Sequence, residues 1–165
     1  MLDEKIVVLM GSKSDFDFAY RIKQFLEKER FPVDCEFNVA SAHKTTRKLL
    51  SDLARYEKSH GKIVFITVAG LSDALSGVVA GCTRYPVIAC PPDSEEFGWA
   101  KVFSSIMMPK GVAVTFVSNP ENAALSAAKI LALSNLEIRE RVSAYRERLE
   151  KAVNQAAREV KEIRK

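Results

Sequence analysis

Ile6-Val7-Val8-Leu9-Met10, followed directly by Gly11-Ser12-Lys13-Ser14-Asp15, is the stretch that decides the fold. An unbroken apolar run closed by a Gly-Ser turn reads as a strand buried on both faces, and such strands belong to parallel sheets covered by helices on both sides. Residues 16–30 then change to helical period, with Ala19, Ile22, Phe25 and Leu26 on one face.

The unit recurs down the chain. Residues 33–39 alternate as Val-Asp-Cys-Glu-Phe-Asn-Val, a strand pattern, and Ser41-Ala42-His43-Lys44 follows. Thr45 or Thr46 can cap the next helix, whose inner face takes Leu49, Leu50, Leu53 and Tyr56 and which stops at Gly61. Residues 62–69 form a third apolar strand ending in Ala69-Gly70-Leu71-Ser72-Asp73, where Ser72 is placed to cap a short Gly-containing helix. Residues 86–90 and 112–117 supply two more strands, with helices over 98–107 and 120–133, the latter opened by Pro120.

Parallel strands need right-handed crossovers that put helices on both faces. The expectation is therefore a three-layer αβα sandwich around a five-stranded, parallel, doubly wound sheet of flavodoxin-like order. Residues 1–133 form the core of a single domain and residues 134–165 an extended C-terminal helix. Its stripe of Ile138, Val142, Tyr145, Leu149, Ala152 or Val153, Ala156, Val160 and Ile163 is too long for one small sheet to cover. It either folds back on its own domain or contacts a second subunit.

Composition narrows the function classes. The chain has 165 residues, 47% hydrophobic and 28% charged, which suits one globular domain and excludes disorder. Its apolar runs are far shorter than the roughly twenty residues of a membrane span. Asp3, Glu4 and Lys5 precede a short apolar run, unlike a secretory signal, so a cytoplasmic protein is expected. The net charge of +4 comes largely from a mixed-charge C-terminal helix, and without exposed aromatics or a known module it argues against nucleic-acid binding. Cys35, Cys82 and Cys90 form no Cys-x-x-Cys pair and read as buried thiols in a reducing compartment rather than a zinc site.

Ligands of open parallel sheets bind outside the carboxyl ends of the strands, so three strand-end clusters about thirty residues apart predict one site. At Gly11-Ser12-Lys13-Ser14-Asp15, backbone N–H groups and the hydroxyls of Ser12 and Ser14 make a phosphate cradle, while Asp15 reads equally as a helix cap or as an acceptor for ribose hydroxyls. The loop fits neither the triphosphate nor the dinucleotide glycine motif. His43 suits proton transfer near neutral pH and Lys44 an anionic ligand; a structural histidine is an equal reading of His43 taken alone. His60 reads as a surface or capping residue. Small residues at 69–77 admit close backbone approach or simply pack a helix on the sheet. Pro91-Pro92 stiffen a fourth strand-end loop, residues 93–99 read as a lid or rim, and Trp99 reads equally as an interface anchor.

Taken together, Gly11-Ser12-x-Ser14-Asp15, Ser41-Ala42-His43-Lys44, Ala69-Gly70-x-Ser72 and Tyr85-Pro86-Val87-Ile88-Ala89-Cys90-Pro91-Pro92 resemble the PurE family of purine biosynthesis, over about residues 5–133. Ser-Ala-His-Lys, Ala-Gly-x-Ser and Cys-Pro-Pro look like its class II branch, the aminoimidazole ribonucleotide carboxylases. The mutase branch typically has Ser-Ala-His-Arg and a second histidine after its Ala-Gly.

The resemblance implies carboxylation of 5-aminoimidazole ribonucleotide by CO2, with His43 as general acid/base. Ser12, Ser14 and Asp15 would hold the ribonucleotide, Ser41 and Lys44 its phosphate, and Gly70 and Ser72 the imidazole and the carboxylate. It implies no metal and no organic cofactor, and a homo-tetramer or homo-octamer. Class II members commonly read Ala-Gly-Arg-Ser-Asn where this chain has Leu71 and Asp73, and an unpaired Asp73 would repel an anionic product. The alternatives are the mutase that moves a carboxyl group from the exocyclic amine to the ring carbon, and a non-catalytic flavodoxin-like binding domain. The latter fits poorly: a phospho-receiver needs an acceptor Asp where Ala69-Gly70 stands, and a flavin carrier needs aromatic residues that the first three clusters lack.

Overall fold

A computed structural model describes residues 4–59, 61–92 and 98–163, without the side chain of Trp99. His60 and the lid residues 93–97 singled out above lie outside the described residues, as does the Trp99 side chain. Five strands, β1 (Glu4–Met10), β2 (Asp34–Val39), β3 (Lys62–Val68), β4 (Val87–Ala89) and β5 (Thr115–Phe116), form a single sheet in the order β2-β1-β3-β4-β5. Every pairing is parallel, the doubly wound flavodoxin-like arrangement expected.

Alternation along the central strands sorts the core into two layers. Ile6, Val8 and Met10 of β1, with Val64, Ile66 and Val68 of β3, face α1 (Phe16–Lys28) and α5 (Pro120–Leu131). Val7 and Leu9, with Ile63 and Phe65, face α2 (Thr46–Glu57) and α3 (Ala74–Cys82). A strand with an unbroken apolar run thus serves both layers, because successive side chains point to opposite faces. All four residues expected on the inner face of α1 are buried.

Several details depart from expectation. Leu50 is 44% exposed, because the buried stripe of α2 runs Leu49, Leu53, Tyr56 and a residue one step from Leu49 falls about 100° around the helix. β5 pairs over only two residues, since its partner β4 has just three, and Ile88 and Ala89 are the ones that oppose Thr115 and Phe116. The helix expected over 98–107 is a 3-10 turn, Gly98–Lys101, leading into α4 (Val102–Ile106). Asp73, not Ser72, caps α3, its carboxylate accepting from Ser76 N. Cys82, at the end of α3, is exposed, whereas Cys90 is buried and burial pushes the Cys35 thiol up to about 12.

The C-terminal helix α6 (Leu136–Ile163) starts on its own domain. Ile138 is buried, Val142 and Tyr145 pack against the α1–α5 layer, and the Tyr145 ring meets Phe25 edge-on at 5.4 Å. Arg148 pairs with Glu29. Beyond that turn the stripe is uncovered in the single chain: Leu149, Val153, Val160 and Ile163 are all exposed. Among the described residues no helix is long and apolar enough to cross a membrane.

One ion pair anchors this helix to the sheet. Buried Glu4, at the start of β1, accepts from Lys62 Nζ at 3.0 Å, and Lys62 reaches the Ser134 carbonyl beside α6. The Lys62 hydrogen bond, then one from Asn135, holds the Glu4 carboxyl below its usual range, against the opposing effect of burial. A carboxylate whose pKa is depressed by folding contributes stability above its unfolded pKa and loses it as pH falls through the folded value. Glu4→Gln is expected to cost about 1 kcal/mol at pH 7, lowering Tm by roughly 2–4 °C, and thermal melts should show the difference vanishing in strong acid.

Candidate active site

The ladder does not stop at the strand ends. Gly11 N donates to Val68 O at 2.9 Å and Ala40 N to Met10 O at 3.0 Å, so the loops after β1, β2 and β3 leave the sheet locked side by side. Between them opens a cleft of about 320 Å³. Ser12, Ser14, Asp15, Ser41, His43, Lys44, Gly70 and Ser72 all line it. The sequence therefore located every residue it proposed for the site on one surface. Gly11, Ala42, Ala69 and Leu71, which belong to the same three clusters but carried no assigned role, complete the wall with Leu75, an apolar residue of α3 that gives no local polar signal.

In the first loop the Ser12 hydroxyl accepts from Ser14 N at 3.2 Å and from Ser14 Oγ at 2.9 Å, while Asp15 Oδ2 accepts from Ser12 N at 3.0 Å. This reciprocal capping box winds residues 13–15 into one 3-10 turn. The cap reading of Asp15 is thus right in part, but its bond returns to Ser12, and it makes no side-chain cap on α1. With Ser12 Oγ accepting twice, its own O–H is left to donate. Burial raises the Asp15 carboxyl above its usual value, opposed by the Ser12 hydrogen bond.

Ser41 organises the second loop. Its Oγ accepts from His43 N at 3.3 Å and Lys44 N at 3.1 Å, a hydroxyl turn that places both side chains at the cleft. Thr45 is the N-cap of α2, yet its hydroxyl turns back, accepting from Ser41 N at 2.9 Å and donating to Ser41 O at 3.3 Å. His43 and Lys44 are exposed, a base and a cation on a tightly bonded turn.

Gly70 supplies the close approach in the third loop. A methyl group there would come within 3.4 Å of Asp15 Oδ1 and 3.8 Å of Pro92 Cγ, so the glycine lets β3's loop, the Asp15 carboxylate and the Pro91-Pro92 loop meet. The repulsion expected from an unpaired Asp73 does not arise. Asp73 is buried with 2% exposure, does not line the cleft, and its carboxylate accepts from Ser76 N, Ser76 Oγ and Ser105 Oγ. Among the described residues no three His, Cys, Asp or Glu side chains are grouped to hold a metal ion.

A cleft at the carboxyl ends of β1, β2 and β3, with a buried carboxylate on one side and a histidine–lysine turn on the other, has counterparts of known family. The AIR carboxylase family pattern matches residues 5–152. The chain belongs to that family. PurE enzymes of purine biosynthesis are its relatives, and it shares their fold: the crystal structure of Treponema denticola PurE superposes with a TM-score of 0.91 at 37% identity, over 96% of this chain and 99% of that one. A phosphoribosylaminoimidazole carboxylase of Archaeoglobus fulgidus is 46% identical over 157 residues, 95% of this chain and 85% of the relative. The N5-carboxyaminoimidazole ribonucleotide mutase of Methanocaldococcus jannaschii is 40% identical over 160 residues, 96% and 98% of the two chains. This PurE-family enzyme thus has relatives named for both reactions.

Asp15 makes the site costly to the fold. Because its pKa is higher folded than unfolded, ionisation opposes folding above about 3.9, and the cost disappears as pH falls through the raised folded value. Asp15→Asn keeps an oxygen for Ser12 N, so its Tm at pH 7 is expected to equal or exceed that of the wild type, with the gap closing on acidification. A Tm several degrees below wild type at pH 7 would show that the charge stabilises the fold.

Proposed function

We propose that this enzyme carboxylates 5-aminoimidazole ribonucleotide with CO2, giving 4-carboxy-5-aminoimidazole ribonucleotide in de novo purine biosynthesis, in the cytoplasm. The observation that carries the reading is the Ser41 turn, which holds His43 and Lys44 together against the cleft that Asp15, Gly70 and Ser72 close from the other sides.

The chemistry follows from the substrate. The amino group makes the imidazole ring electron-rich, so its unsubstituted carbon attacks CO2; a carbon–carbon bond forms and the electron pair moves onto the carboxylate oxygens. The ring carbon then bears both hydrogen and carboxylate, and His43 takes that proton, returning the C–H electron pair to the ring and restoring aromaticity. A positioned base of this kind is worth roughly 10²–10⁴-fold. The nucleophile is the substrate and the electrophile is CO2, so the scheme calls for no metal and no organic cofactor.

Binding divides along the cleft. Asp15, desolvated by burial, gains most from ribose hydroxyl donors, and Ser12 and Ser14 flank it. Ser41 accepts two backbone N–H bonds and so has its O–H left to give the phosphate, beside the Lys44 ammonium. Gly70 and Ser72 border the imidazole and the new carboxylate.

The second reading, moving the carboxyl group from the exocyclic nitrogen to the ring carbon, is favoured by the identity with the Methanocaldococcus jannaschii mutase. Turnover followed by ultraviolet absorbance separates the two. Aminoimidazole ribonucleotide with saturating bicarbonate and carbonic anhydrase should react at a rate that rises with dissolved CO2, and the carboxyamino compound should not; the reverse preference makes the enzyme a mutase, and inactivity on both removes the assignment. His43→Asn is expected to lower kcat at least 10²-fold while ribonucleotide binding by calorimetry stays within about twofold.

The same reading implies a homo-tetramer or homo-octamer, in which a second copy would cover the exposed Leu149, Val153, Val160 and Ile163 face of α6. Light scattering should return four or eight chains per particle, and Val153→Glu should reduce that number; a monodisperse monomer contradicts the assembly.

A further inference from the structure

Asp73 is buried, ionisable and unused by the scheme above. Its environment is built from two directions. On its own helix, Oδ1 accepts from Ser76 N at 3.0 Å and Oδ2 from Ser76 Oγ at 2.6 Å. From α4 come two consecutive serines: Ser105 Oγ donates to Oδ2 at 2.7 Å, and Ser104 Oγ accepts from Asp73 N at 3.0 Å. Capping α3 needs only the bond from Ser76 N. The grip by α4 on both the carboxylate and the backbone of one residue calls for another explanation.

The contacts close into a ring. Ser104 Oγ donates to Lys101 O at 2.7 Å, Lys101 Nζ donates to Pro92 O, and Pro92 Cγ lies 3.8 Å from where a methyl group on Gly70 would stand. Gly70 is three residues before Asp73. The circuit therefore runs from the loop after β3, through Asp73, α4 and Lys101, to the loop after β4 and back to Gly70. Residues 70–72 line the cleft and have Asp73 as their downstream anchor. With Asp73 at φ −86°, ψ 62°, outside the helix, its fixed position sets how that loop leaves the sheet.

We propose that Asp73 is a positioning residue, which through Ser104 and Ser105 holds Gly70 and Ser72 in register with the Pro91-Pro92 loop and so sets where the transferred carboxyl group sits. The proposal rests on the reading of the cleft as the carboxylation site, with Gly70 and Ser72 at the carboxylate end and Ser12 and Asp15 at the ribonucleotide end. It follows that loosening the circuit acts on one substrate and not the other.

The test is the double variant Ser104→Ala/Ser105→Ala, which removes both bonds from α4 while leaving Asp73 and its cap on α3; Ser105→Ala alone serves if the double variant fails to fold. Kinetics of aminoimidazole ribonucleotide carboxylation should show kcat lowered about 10- to 10²-fold and KM for dissolved CO2 raised, with ribonucleotide Kd within about twofold. Native-state hydrogen exchange should show the Asp73 amide exchanging faster. Asp73→Asn, whose amide keeps one oxygen for Ser76 N and gains a donor toward Ser105, should retain turnover within about threefold. Wild-type kcat and CO2 dependence in the serine variant, at whatever Tm, would overturn the proposal, as would equal losses in ribonucleotide and CO2 affinity. Wild-type inactivity on both candidate substrates would sink the functional reading instead; the exchange rate of the Asp73 amide then decides the clasp by itself, faster exchange upholding it and unchanged exchange overturning it.

Discussion

The carbonyls of Val68 and Met10 accept the amides of Gly11 and Ala40, carrying the parallel ladder one residue beyond the strands and into the loops that hold the site. Three loops from distant parts of the chain share one edge because of this register, and the 3.4 Å approach of a Gly70 methyl position to Asp15 is its direct result. The register is itself secured by burial on both faces. A one-residue slip of β1 would swap Ile6, Val8 and Met10 with Val7 and Leu9, sending each set into the layer shaped for the other.

Two buried aspartates flank the loops and show how environment divides their work. Asp73 is surrounded by donors, Ser76 N, Ser76 Oγ and Ser105 Oγ, and belongs to the scaffold. Asp15 accepts from Ser12 N, and burial raises its pKa. The proposed binding of ribose hydroxyl groups draws on a carboxylate held in this way, since they would supply what the loss of water removed. Opposite it, the hydroxyl oxygens of Ser41 and Thr45 accept backbone N–H groups, and the order they impose keeps an exposed histidine and lysine at the cleft. Preorganisation of this kind reduces the rearrangement needed when charge develops.

The sheet order, the faces of α1 and the shared cleft were legible from local pattern. A five-residue apolar run closed by Gly-Ser has few structural solutions, and clusters placed after successive parallel strands converge on one edge. Where local pattern underdetermined the answer, partner elements decided. Leu50 follows the helical period as well as Leu49 does, but the stripe that met the sheet was Leu49, Leu53 and Tyr56. The run at 112–117 has strand character throughout, yet pairing lasted only as long as three-residue β4 offered partners. α6 satisfied a fold-back as far as Tyr145 and Arg148, and beyond them its apolar face outran the domain.

By itself, then, the sequence determined the alternation of strand and helix, the parallel sheet and the identity of the residues gathered at its carboxyl edge, because those follow from side-chain period and turn chemistry along the chain. Only the tertiary structure decided which way Asp73 faces and how the β3 and β4 loops are tied through Ser104, Ser105 and Lys101. A hydroxyl or carboxylate takes whichever partner the fold brings within about 3 Å, and partners some thirty residues away in sequence leave no local trace.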